Sequence, residues 1–245
     1  MKTQLLTLLA VTALISAFGQ TTPPNLTNGL VAFYPFEGNA NNSLGNSNNA
    51  TPGGSYQFLG TGLSGGAIRI NGDNSLFYSG GGHVMLPLFG TYMNSRFTFS
   101  LWVKDEVLGG YPVNQETYLA FGILDLPKVE LYLASEPTGS ISYNMDSGAG
   151  GPAHTDYVHF TKNIDWSADR SRWKHLVITY EPGRMACYFD SAKIFQTNIT
   201  YNIFPVTKAA LGRHWWDSGS SSSARMSCTY DTVRIWNRAL TDQEV

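Results

Sequence analysis

The stretch Arg96-Phe-Thr-Phe-Ser-Leu-Trp-Val-Lys104 alternates without a break. Phe97, Phe99, Leu101 and Val103 fall on one side; Thr98, Ser100, Trp102 and Lys104 fall on the other. Successive side chains of an extended chain point to opposite faces, so a period of two marks a half-buried β-strand rather than a helix. The same pattern recurs on both sides of this stretch.

Upstream, Leu30 to Phe36 and Ala67 to Ile70 read as strands, the second closing on an Asn-Gly turn signal. Downstream come Tyr118 to Ile123, Val129 to Ala134, Ser140 to Tyr143, Tyr157 to Phe160 and Trp173 to Tyr180. Glu181-Pro-Gly183 is a turn, and Met185 to Phe189 completes its hairpin. Lys193 to Phe195, Ala209 to Gly212 and Thr229 to Trp236 close the set. Short strands separated by turn residues predict an all-β sandwich. A single helix start is expected at Thr241, with Glu244 three residues on as in a capping box. The chain stops within that turn, which fits a terminal stub or a piece of a longer protein. Long Gly/Asn/Ser stretches at Asn39 to Ser55, Ser79 to Gly82, Asp146 to Thr155 and Asp217 to Ala224 read as loops.

Residues 1–19 read as an export signal. Lys2 supplies the positive end, Leu5 to Ile15 the apolar core, and Ala17 and Gly19 the small residues before a cut near Gln20. The apolar run falls short of the ~20 residues a membrane span needs. No cysteine near the cut offers a lipid attachment point. Residues 20–28 form a short lead, and 29–245 suit one large β-domain.

Charged residues are only 14% of the chain and the formal net charge is −2, so there is no electrostatic footprint for nucleic acid or for an anionic membrane. Aromatic content of 13% argues against disorder. Two cysteines, Cys187 and Cys228, would be bridged in an exported chain. Parity turns Cys187 to the core with Met185 and Phe189, whereas Cys228 points away from Val233 and Ile235 unless a bulge intervenes. A bridge and two separate small apolar residues both stay open.

Several segments, in order, resemble laminin-G-like, concanavalin-A-like jelly-roll domains of secreted proteins. They are Gly29-Leu-Val-Ala-Phe-Tyr-Pro-Phe36 with its Asn-rich loop, Phe97 to Lys104, Arg172-Trp-Lys-His-Leu-Val-Ile-Thr-Tyr180, Cys187-Tyr-Phe-Asp190, Leu211-Gly-Arg213 and Tyr230-Asp-Thr-Val-Arg-Ile-Trp236. The resemblance implies two apposed antiparallel sheets, and recognition more often than catalysis. It also implies a structural calcium ion at the rim. Family members often carry an Asp in the N-terminal loop and a pair of Asp opening the last strand. Here Asn42 takes the first place, Asp231 keeps the second and Thr232 replaces the third. Asn39, Asn42 and Asp231 are therefore the expected metal ligands. An Asx turn without metal is the alternative.

Sugars stack on aromatic rings and pair their hydroxyls with planar polar groups. Arg213-His-Trp-Trp-Asp217 offers that mixture, because adjacent Trp215 and Trp216 cannot both face one core from a regular strand. Tyr157 and His159 share parity and are expected to line the curved face. The expected partner is a glycan or a surface glycoprotein. A protein-binding adhesion or envelope module is the first rival. A glycan-cleaving enzyme with a non-standard site is the second. Retaining hydrolysis needs two carboxyls about 5–5.5 Å apart. Glu130 and Glu136 share parity, but along one strand they would stand ~20 Å apart. No close histidine pair or Gly-x-Ser-x-Gly elbow is present.

Overall fold

A computed structural model describes residues 24–71, 81–87, 95–105, 116–122, 130–136, 140–146, 158–163, 172–198, 208–212 and 227–245. The expected leader lies outside the described residues, apart from the end of the lead, where Pro24–Thr27 forms one helical turn, α1.

The rest is β-structure, as the alternation predicts. One sheet is built from β1 (Leu30–Tyr34), β3 (Tyr56–Leu59), β4 (Ala67–Ile70), β6 (Phe97–Asp105), β11 (Lys174–Glu181), β12 (Arg184–Phe189), β13 (Ala192–Asn198) and β15 (Cys228–Trp236). Its order is β13-β12-β11-β6-β15-β4-β3, with β1 also on β15. The second sheet takes β2 (Thr51–Gly53), β5 (His83–Leu86), β7 (Glu116–Gly122), β8 (Glu130–Glu136), β9 (Ser140–Asp146), β10 (Val158–Asn163) and β14 (Lys208–Leu211), ordered β10-β9-β8-β7-β14-β5-β2. All ladders are antiparallel. This is the jelly-roll sandwich that the sequence implies. Three short strands, β2, β3 and β5, arise in or beside stretches that read as loops.

β6 lies between β11 and β15, and its apolar face is the centre of the core. Phe97, Phe99, Leu101 and Val103 are fully buried against Leu176, Ile178 and Tyr180 of β11 and Val233 and Ile235 of β15. Phe97 stacks on Tyr180 with ring centroids 5.3 Å apart. Burying side chains of this size contributes about 1.5–3 kcal/mol each. The β11–β12 hairpin turns at Pro182 and Gly183, where Gly183 has φ 85°, a conformation that costs glycine nothing.

β15 contains the bulge that parity left open. Its register against β6 slips between Asp231 and Arg234, and Thr232 takes φ 53°. That is a rare conformation for a β-branched residue. The bulge lets Cys228 and Tyr230 face the core ahead of it and Val233 and Ile235 face the same core beyond it. Both cysteines are buried and unbridged.

At the far end of β6 and β11 the interior is ionic. Lys174 Nζ donates to Asp105 Oδ2 at 2.8 Å, and the two side chains are 0% and 3% exposed. On the opposite face of the sheet the C-terminal segment packs down. Thr98 Oγ1 donates to the Arg238 carbonyl and accepts from Leu240 N. Val245 covers Val177, Ala186 and Tyr188. The expected helix is a single turn. Thr241 N donates to Glu244 Oε2, and Glu244 also takes a bidentate pair from Arg238.

Candidate functional site

Arg213, His214, Trp215, Trp216, Asp217 and Tyr157 lie outside the described residues. Their anchors do not. The segment that carries the tryptophans leaves β14 at Gly212 and re-enters at Ser227 and Cys228. Gly212 has φ 71°, and a Cβ there would collide with Ile70 Cδ1. Cys228 pairs with Ile70 of β4 and with Asp105 of β6. Both ends of the segment are thus fixed beside Ile70, one in each sheet, at the end of the sandwich that holds the Lys174–Asp105 pair. His159 lies on β10 opposite Asn144. In the sheet order β10 is four places from β14, which is about 19 Å at the usual strand spacing. The sheet does not bring His159 next to the root of the tryptophan segment; it sets their two strands four places apart.

Glu130 and Glu136 sit at opposite ends of β8. Extended geometry keeps them far beyond the separation of a hydrolytic carboxylate pair. Ser100, His175 and Asp190 come close to one another on the outer face of the first sheet, but not as a nucleophile, base and orienter. Ser100 Oγ and His175 Nε2 are 2.8 Å apart, with Ser100 only 5% exposed. The Asp190 carboxylate takes the backbone N–H of His175 and the Arg172 guanidinium, not the imidazole. Trp102 stacks on the imidazole at 4.8 Å. This is a packed polar cross-link between β6, β11 and the turn after β12.

The expected metal ligands do not converge. Asn39 makes an Asx turn, its Oδ1 accepting from Asn41 N and its Nδ2 donating to the Glu37 carbonyl. Asn42 is buried, and its Oδ1 accepts from Phe33 N at 3.0 Å and Leu44 N at 3.2 Å. Its Nδ2 donates to Asn46 Oδ1 and the Val31 carbonyl. An amide that folds its own loop in this way has no oxygen lone pair left for a cation. Asp231 faces a different element. Its Oδ2 accepts from Ser64 N at 3.0 Å and its Oδ1 from Thr232 Oγ1 at 2.9 Å. Burial pushes its carboxyl above the usual range, against the pull of these hydrogen bonds.

The sequence reading passed over Glu37 and the glycine turn that Asp231 grips. Glu37 Oε2 accepts from Gly66 N at 2.8 Å. Gly65, at φ 79°, brings its Cα so close to the Glu37 carboxylate that a Cβ would overlap it. The run of glycines from Gly60 to Gly66 was the available signal. Gly65→Ala is expected to destabilise the fold by about 1–2 kcal/mol through the left-handed backbone alone. Urea melts of wild type and variant measure it.

No curated protein matches the sequence. Among solved structures, domain 4 of AbnA, a GH43 extracellular arabinanase from Geobacillus stearothermophilus solved with arabinotriose, superposes with a TM-score of 0.64 at 23% identity, covering 88% of this chain and 95% of that one. The botulinum neurotoxin type C structure that describes interaction with two ganglioside molecules gives 0.65 at 10% identity, covering 90% of this chain and 51% of that one. The binding domain of Paraclostridial Mosquitocidal Protein 1 gives 0.66 at 16% identity, covering 89% and 51%. The chain therefore spans about half the length of the toxin structures it resembles, and at these identities the likeness is one of fold. Residues 78–245 match the laminin G family described as the concanavalin A-like lectin/glucanases superfamily, and the chain belongs to that family.

Proposed function

We propose that the protein is an exported, non-catalytic module that recognises a glycan or a surface glycoprotein through the segment Arg213, His214, Trp215, Trp216 and Asp217, together with Tyr157 and with His159 of β10. The observation that carries this reading is the anchoring of residues 213–226. A segment with two adjacent tryptophans spans the two sheets from roots buried at Gly212 and Cys228. A rigid scaffold presenting an aromatic loop is the usual form of a binding site. The separation of β10 from β14 suits an extended oligosaccharide rather than a single sugar. The ligands of the similar structures, arabinotriose and gangliosides, support the same class. Glu130 and Glu136, at opposite ends of β8, stand too far apart to serve as a hydrolytic carboxylate pair with each other.

Purified protein applied to a glycan array is expected to retain an oligosaccharide. Trp215→Ala and Trp216→Ala should each weaken that binding by about tenfold or more, since one stacked ring is worth roughly 1–3 kcal/mol in comparable stacking. An array without a bound glycan, or binding unchanged in both variants, overturns the assignment. The second reading, a protein partner, is favoured by the neurotoxin binding domain solved with rat synaptotagmin II. Binding to a glycoprotein that survives removal of its glycans would establish it.

A further inference from the structure

The register of the second sheet sets out the floor between β14 and β10. Leu211 stands opposite Leu119, and Leu119 opposite Leu133. Leu211 and Leu119 are buried in the core, so the residues next to them along each strand take the other face. One row on that face runs Ala210, Ala120, Tyr132, Asn144, His159, each directly opposite the next. The adjacent row runs Lys208, Gly122, Glu130, Asp146. At about 4.8 Å per strand, the first row sets an aromatic, an amide and an imidazole on one line across β8, β9 and β10. The second row sets two carboxylic acids directly opposite each other, where like charges destabilise a ladder. Glu130 is too far from Glu136 along β8, but its neighbour across the ladder is Asp146. Glu136 shares their face at the other end of β8. Among the described positions of that face on β8, β9 and β10, none is a lysine or an arginine.

We propose that this face selects uncharged oligosaccharides over acidic ones, an inference that rests on the glycan reading above. Tyr132 and Asn144 join His159 as ligand-contacting residues, and Glu130 with Asp146 turns away sugars that carry a carboxylate or a sulfate. Carboxylates accept hydrogen bonds from sugar hydroxyls, so a neutral chain meets acceptors along the second row. An acidic chain laid on the same rows meets two charges of its own sign, and such juxtaposition suppresses wrong partners. Selectivity of this kind comes from the repulsive element as much as from contacts to the right ligand. Lys208 stands two strands from Glu130 and three from Asp146, and it is one cation against three acids.

An array of neutral oligosaccharides beside their sialylated and uronate-bearing counterparts is expected to show the neutral members bound about tenfold better or more at low ionic strength. The gap should narrow at high salt. Glu130→Gln combined with Asp146→Asn removes both charges at nearly constant size. It should bring the acidic members to within about threefold of the neutral ones. Its urea melt at low salt should stand at or above that of wild type, because the repulsion across the ladder is gone. Glu130→Gln alone should move both readouts the same way by less. A wild-type preference for acidic glycans overturns the proposal. So does a ratio unchanged in the double variant, or a double variant that melts well below wild type. Cleavage of a bound oligosaccharide that the double variant no longer performs overturns it too, since the pair is then catalytic. If wild type retains no glycan at all, the glycan reading itself fails and this selectivity with it; retention of acidic members removes the selectivity alone.

Discussion

Lys174→Ala is expected to cost about 3–5 kcal/mol, among the largest losses available from a single side chain in this domain. The reason is the asymmetry between breaking a buried ion pair and removing it. Lys174 and Asp105 are both withdrawn from water, and their charges compensate across 2.8 Å. Removing the ammonium takes from the buried Asp105 carboxylate the charge that lies 2.8 Å from it. Removing both charges does not. Lys174→Met combined with Asp105→Leu replaces the pair with apolar groups, and such replacements are often neutral or stabilising. Denaturant melts of the single and double variants check this. The expected result is a large loss for the single variant and recovery of most of it in the double. A single variant within about 1 kcal/mol of wild type would show instead that water reaches the site. The pair also matters for position, since Asp105 stands opposite Cys228, where the tryptophan segment enters β15.

The contrast between what could and could not be read in advance follows from the range of the interactions. Phe97 to Val103 was legible because alternation is local, and every residue of that face is buried. The hairpin at Glu181-Pro-Gly183 was legible because its turn chemistry is local too. The bulge at Thr232 was not, since a β-branched residue gives no hint of a left-handed backbone. Without the bulge, parity assigns Cys228 to the wrong face. Asn42 misled for another reason. An amide oxygen that accepts two backbone N–H groups is the same oxygen that would ligate calcium, and composition does not say which partner it meets. Glu37 was missed because its partners, Gly65 and Gly66, approach only after β3 and β4 have formed. The aromatic loop was legible as a motif. Its anchoring beside Ile70 was not, because that depends on β14 and β15 lying in different sheets.

The second large effect is a loss of stability on mild acidification, and it originates at His175. Burial, outweighing the attraction of Asp190, pushes this imidazole down to about 4 from its ordinary 6.5, and Arg234 opposes its protonation further. The neutral ring accepts or donates at Ser100 Oγ and lies flat against Trp102. In the unfolded chain the same ring binds a proton near pH 6.5. Between that value and about 4 the unfolded state holds more protons than the folded one, so stability rises with pH across this window and is lost as pH falls through it. The contribution is fully present above pH 6.5 and amounts to about 2 kcal/mol of lost stability between pH 7 and pH 5. Glu244 works in a lower window, because its Arg238 pair holds it down to about 2 and its stabilisation is lost only below its ordinary 4.5. Asp231, held above its ordinary value by burial, works in the opposite sense and gains as pH falls. His175→Gln removes the first of these contributions and leaves the other two. Urea melts at pH 7 and pH 5 should therefore converge in the variant while differing by about 2 kcal/mol in wild type. If the wild-type melts coincide, the imidazole is hydrated or paired as a cation. Equal losses in the two proteins would move the acid sensitivity to the carboxylates.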